Sequence, residues 1–195
     1  MTSEDTKSLA VKIENCTYVI EAYELDEKYS TGSGFAISRY GHLMTAAHVI
    51  TNRLPVRPKD LNDPNVSIRA KKRGGEWISY KVGVCGPSIK LEYFREPLTV
   101  DIAILHPTVT NDDVPFLEIC DEKPVIGENI LMGGYPDEIE LPFAFDRLFD
   151  FQHPQIKMVE QQFRKGLEAA RQLLMIKSGM VGAVSGFDFT DMSTH

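Results

Sequence analysis

Gly32-Ser33-Gly34-Phe35-Ala36-Ile37-Ser38, a short break, then Gly41-His42-Leu43-Met44-Thr45-Ala46-Ala47-His48-Val49-Ile50 is the stretch on which the fold turns. Both halves carry apolar and small residues at strand length, and turn residues separate them, so they read as consecutive strands of one hairpin. The second strand runs out into Ala46-Ala47, whose small side chains let the backbone pack closely. A tight turn after it then holds the imidazole of His48 at the lip of a packed β unit. A lone histidine is a weak functional signal, but this whole phrase is a specific one.

Working outward, short strand-like runs dominate from about residue 13 to residue 134. They include Thr17-Tyr18-Val19-Ile20, Val66-Ser67-Ile68-Arg69-Ala70, Trp77-Ile78-Ser79-Tyr80-Lys81-Val82 and Ile102-Ala103-Ile104-Leu105. Turn residues punctuate them at short intervals, which predicts an all-β barrel or sandwich. The basic run Lys71-Lys72-Arg73 precedes Gly74-Gly75 between two such strands and reads as a solvated hairpin turn. After Pro107 the polar Asn111-Asp112-Asp113 reads as a linker, and further strands are expected at 116–120 and 128–132. Between Pro154 and Leu174 the period changes: Ile156, Val159, Phe163, Leu167, Ala170 and Leu174 recur at steps of three and four. That spacing predicts an amphipathic helix over 154–174.

A second chemical signal is Val100-Asp101-Ile102-Ala103-Ile104-Leu105. An aspartate at the mouth of an otherwise apolar strand needs a partner, because an unpaired buried carboxylate is costly. With His48 and Asp101 both in view, the chain resembles the trypsin-like, chymotrypsin-fold peptidases. That family has a G-x-G-F strand followed by T-A-A-H, then D-[IL]-A-[IVL]-[IVL], with histidine before aspartate in the chain. The resemblance implies an all-β, two-barrel fold with an inserted amphipathic helix and an incomplete second barrel. It also implies a domain plan: an N-terminal tail at 1–12, a first barrel at 13–110 holding both residues, and a partial second barrel at 111–195. In function it implies a serine-type endopeptidase with catalytic His48 as base and then acid, and Asp101 as its orienting carboxylate.

The third member of such a triad is missing from the string. The family's nucleophile sits in G-[DN]-S-G-G, where the glycines aim backbone N–H groups at the oxyanion. Ser178 (Lys177-Ser178-Gly179) and Ser185 (Val184-Ser185-Gly186) both lack the glycine two positions earlier. In the HtrA-like branch, Leu131-Met132-Gly133-Gly134-Tyr135-Pro136 and Ser178-Gly179-Met180-Val181 match strands that precede the nucleophile loop. That register puts the serine beyond His195 and makes Ser178 and Ser185 strand residues, so the 195-residue chain is expected to be inactive alone.

Composition bounds the rest. A chain 43% hydrophobic and 25% charged is an ordinary globular protein, which excludes disordered and fibrous classes. The net charge of −7 argues against nucleic acid and anionic membrane as partners. The N-terminus lacks a secretory signal and no apolar run approaches the ~18 residues of a membrane span, so a cytoplasmic location is expected. Cys16, Cys85 and Cys120 form no C-x-x-C pair and read as reduced, buried thiols. His42, His106, His153 and His195 are not at metal-ligand spacing, and no metal or organic cofactor is expected. The expected partner is an extended polypeptide substrate, with a homo-oligomer through the inserted helix or exposed strand edges as a further expectation. Phe143, Phe145, Phe149 and Phe151 belong to an insertion that either packs on the second barrel or forms a lid. Two other readings stay open: a non-catalytic binding or scaffold module on the same fold, and a cysteine peptidase whose nucleophile lies in the missing segment.

Overall fold

The computed structural model describes residues 3–52, 65–90, 95, 97–135, 153, 155–159, 161–162, 165 and 174–184. The first strands arise where the alternation is cleanest. In β1 (Thr17–Glu24) Tyr18, Ile20 and Ala22 point one way into the core, and Glu21 and Tyr23 point the other. β1 pairs antiparallel with β2 (Glu27–Ala36), which pairs with β3 (Leu43–Thr45). The sheet continues through β4 (Val66–Lys71), β5 (Ile78–Cys85) and, after the short ribbon β6 (Ser88–Ile89) and β7 (Leu98–Thr99), β8 (Ala103–Pro107). The order β1-β2-β3-β8-β5-β4 closes on itself as a six-stranded barrel. Closure removes the unpaired edges that an open sheet would leave.

The barrel interior mixes large and small side chains as a narrow barrel requires. Ile20, Leu43 and Leu105 are fully buried beside Ala22, Ala36, Ala70 and Ala103. The glycines of the opening phrase are there for close approach. A Cβ on Gly34 would lie 2.5 Å from Ile20 Cδ1, and one on Gly32 would lie 2.5 Å from Val49 Cγ2. The strand therefore carries no side chain where the core and the next helix press against it.

The expected strands up to residue 107 are present, together with features the sequence reading did not contain. The stretch assigned to an N-terminal tail is helical: α1 spans Ser3–Cys16, and the Thr17 hydroxyl donates to the Ile13 carbonyl at its end (2.7 Å). Its inward residues are few, since Leu9 and Val11 are exposed, so no apolar stripe marks it. The expected strand at 116–120 does not form. There, Leu117 N–H donates to Ala36 C=O (2.8 Å) without a continuing ladder, and Phe116 and Ile119 stay exposed. Cys16 and Cys85 are buried, whereas Cys120 is exposed, which corrects the reading of all three as buried.

Beyond the barrel, β9 (Asn129–Gly134) and β10 (Met175–Met180) form a two-stranded antiparallel sheet, with Ser178 opposite Leu131. This is the described part of a second β unit, and Ser33 ties it to the first. The Tyr135 N–H donates to Ser33 Oγ (2.6 Å), and the Ser33 hydroxyl donates back to the Tyr135 carbonyl (3.1 Å). Of the expected helix over 154–174, residues 156–159, 161–162 and 165 are helical, Gln155 is in a turn, Leu174 is not helical, and the rest lie outside the described residues, as do Phe143, Phe145, Phe149, Phe151, Ser185 and His195. Among the described residues no helix is long and apolar enough to cross a membrane.

Candidate active site

The chain turns out of β3 at Ala46, whose backbone is extended (φ −78°, ψ 143°), and winds at once into the short helix α2 (Ala47–Thr51). Five residues are too few for a helix to stand alone. α2 is held by burial of Ala47, Val49, Ile50 and Thr51 on the barrel, which leaves His48 as its one residue facing out. The small side chains of Ala46 and Ala47 allow that tight entry. Asn52 ends the helix in the left-handed region (φ 52°), with its N–H on the His48 carbonyl at 2.7 Å.

Asp101 arrives from the approach to the neighbouring strand, β8. β3 pairs with β8 so that Thr45 lies opposite Ala103, and Asp101, two residues before Ala103, therefore meets the residues that follow Thr45. The contact is double. His48 Nδ1 lies 2.7 Å from Asp101 Oδ2, and the His48 backbone N–H donates to Oδ1 at 3.0 Å. One carboxylate thus fixes both the ring and the backbone that carries it. The His48 side chain remains 57% exposed and that of Asp101 36%.

Electrostatics follow from those bonds. Partial burial pushes the Asp101 carboxyl up, but the hydrogen bonds from the His48 ring and backbone, the histidine's charge and the Ala47 backbone outweigh it. The net effect holds the carboxyl below the ordinary aspartate value. The tautomer with its proton on Nδ1 gives the ionised Asp101 a donor and leaves Nε2 with its lone pair. That is the protonation pattern a general base needs. Among the described residues, Nε2 has no hydrogen-bond partner.

Beside the pair, a cavity of about 430 Å³ separates the barrel from α1 and β9. Ile13, Met44, Leu117 and Leu131 give it apolar walls, and Ser33 and Asp101 give it polar ones. The other expected residues fall elsewhere. Ser178 is exposed on β10. His42 shares a hydrogen bond with Ser38 (2.7 Å) and stacks edge-on against His106 (4.7 Å between centroids), on the outer face of the barrel. The reading of these two as structural surface histidines thus has a geometric basis. Sequence reasoning did not single out Tyr29, whose hydroxyl reaches α2; nothing in its local context marks it.

A family model described as a trypsin-like peptidase domain matches residues 32–191, which takes in both His48 and Asp101. No curated protein matches the chain.

Proposed function

We propose, because this chain belongs to the trypsin-like peptidase family, that its peptidase chemistry is serine-type acyl transfer with His48 and Asp101 as two-thirds of the triad. The single observation that carries this reading is the double grip of one carboxylate on the His48 ring and backbone. A serine hydroxyl placed at Nε2 would pass its proton there while its oxygen attacks the scissile carbonyl carbon. The imidazolium so formed is stabilised by the ionised Asp101. The same proton then goes to the leaving amine as the acyl–enzyme forms. In the second half, water takes the serine's place, His48 again accepts the proton, and the acid product leaves with the serine regenerated. The substrate is an extended polypeptide, and the mechanism calls for no metal or organic cofactor.

The nucleophile in this reading is a serine outside the 195 residues. Ser178 lies exposed in the β9–β10 ladder and carries one flanking glycine, without the second that an oxyanion turn needs. The 195-residue chain is accordingly inactive alone. A fluorogenic peptide assay tests both statements. The product of the whole gene should turn over and lose turnover with His48→Ala, while the 195-residue chain should be silent. Turnover by the short chain that survives His48→Ala would sink the reading.

The missing glycine-flanked serine also favours one other reading, a binding or scaffold module on the peptidase fold. Against it stands the Asp101 geometry, which a scaffold has no need to keep. The same assay separates the two, because a scaffold gives no turnover even from the whole gene.

A further inference from the structure

The exposure of His48 raises a mechanical question. With over half its surface in solvent, the ring is not wedged in place by neighbours. Its position depends on Asp101 and on the placement of α2, a helix of five residues. Small displacements of such a group are costly to reactivity, since acid–base transfer needs its atoms within hydrogen-bond reach.

Three carbonyls of α2 have defined partners. Ala47 C=O accepts the Thr51 hydroxyl at 3.1 Å, and His48 C=O accepts the Asn52 amide at 2.7 Å. Both are local contacts that travel with the helix, although the Ala47 carbonyl also accepts the Cys85 thiol of β5 at 4.0 Å. Ile50 C=O is different: it accepts the hydroxyl of Tyr29, from β2, at 2.5 Å. Tyr29 is half-buried at the β-bulge of barrel strand β2, flanked by Lys28 and Ser30, which pair with Tyr23 and Ala22 of β1. Its hydroxyl therefore anchors the C-terminal end of α2 to the rigid wall, as Asp101 anchors its N-terminal end through the His48 amide. Between the two anchors, Val49 rests on Gly32 of the same strand β2.

We propose that Tyr29 is a positioning residue for the general base: through the Ile50 carbonyl it holds α2 at the angle that keeps His48 Nδ1 on Asp101. The inference rests on the reading of His48 and Asp101 as the acid–base pair. It adds a residue that acts on His48 without touching substrate or the reacting atoms.

The tautomer of His48 in the 195-residue chain reports on this directly. A free neutral imidazole favours the proton on Nε2, whereas an Asp101 carboxylate bonded at Nδ1 holds it there. Nitrogen-15 NMR of the neutral ring reads the ratio of the two forms. In the wild-type chain the Nδ1-protonated form should dominate. Tyr29→Phe removes only a hydroxyl and keeps the ring that packs on the strand. It should lower the ratio by up to about tenfold, the worth of one such hydrogen bond, and speed exchange of the Asn52 amide by a similar factor. Thr108→Val is the matched control, since it also deletes one side chain–backbone hydrogen bond (to Ser79, 3.0 Å) but at the far end of β8; it should leave both readouts unchanged. A wild-type ring protonated on Nε2 would refute the acid–base reading itself. A wild-type ring protonated on Nδ1 with Tyr29→Phe unchanged in both readouts would refute only the role of Tyr29. Equal shifts in Tyr29→Phe and Thr108→Val would also refute it, by showing general softening of the barrel.

Discussion

At the scale of single residues, Asp101 joins the site's chemistry to the fold's stability. Its folded pKa lies below its unfolded value, which for an aspartate is about 3.9. The stability it contributes is therefore fully present above about pH 3.9 and is lost as pH falls through the depressed folded value. Asp101→Asn should accordingly be less stable than the wild type in urea at pH 7, and the gap should close on acidification. A gap independent of pH would mean that the carboxylate's charge plays no part. Gly32 makes a second prediction at this scale. Gly32→Ala places a methyl 2.5 Å from Val49 and should cost about 1–3 kcal/mol, as overpacking does. The added change Val49→Ala should recover part of that cost. Simple addition of the two losses, measured by denaturant unfolding, would show that the residues do not press on each other. Both catalytic candidates were legible because their residue types stand in long, specific phrases. Tyr29 was not legible, because its partner is a backbone carbonyl 21 residues away and no local pattern encodes it.

At the scale of elements, the outer face of β1 and β4 carries a charge network. Glu21, with its side chain 10% exposed, accepts from Arg69 Nε (3.0 Å) and from the Tyr23 hydroxyl (2.6 Å) and pairs with Lys28 (3.4 Å). The Arg69 guanidinium lies between the rings of Tyr23 and Trp77, at 4.4 and 4.5 Å from their centroids. Burial pushes the Glu21 carboxyl up, but the bonds from Tyr23 and Arg69 and the charges of Lys28 and Arg69 bring it below the ordinary value. Burial, the hydrogen bond to Glu21 and the Glu21 charge push the Tyr23 hydroxyl up to about 12, against the opposing pull of Arg69. Glu21→Gln should therefore cost about 2 kcal/mol at pH 7, in the range of charge-assisted hydrogen bonds. The difference from wild type should fade as pH drops below about 4.3 and the native carboxylate protonates. Paired thermal melts at pH 7 and pH 3 check it, and an equal loss at both would contradict it. The strands of this barrel were legible as short apolar runs between turn residues, although β1 is buried at six consecutive positions and bulges shift the register in the β1–β2 and β5–β8 pairs. The segment at 116–120 is apolar at four of its five positions without alternating, and it makes one hydrogen bond to Ala36 but no ladder. α1 escaped notice because its contacts with β9 rest on a few residues such as Ile13 and leave no 3.6-residue stripe.

At the scale of the whole molecule, a closed barrel supplies a rigid wall. His48 leaves it on a five-residue helix, and Asp101 leaves it at the start of β8. The second β unit docks on the same wall through Ser33 and Tyr135. The cavity between barrel, α1 and β9 reaches Asp101, so whatever enters that cleft meets the carboxylate that holds His48. The hairpins of the first unit, β1–β2, β2–β3 and β4–β5, could be read from the sequence because neighbours in sequence are neighbours in space, whereas the β1–β4 and β3–β8 pairings that close the barrel join distant residues. The second unit could be read only in part: its contacts join residues as far apart as Ser33 and Tyr135, and such pairs leave no trace in local periodicity. The most direct test of the central claim is covalent labelling of the whole gene's product with a serine-directed fluorophosphonate, the modified peptide being identified by mass spectrometry with and without His48→Ala. One labelled serine outside residues 1–195 is expected, with loss of its labelling in His48→Ala. Label on Ser178 or Ser185, labelling indifferent to His48, or no labelled serine at all would contradict it.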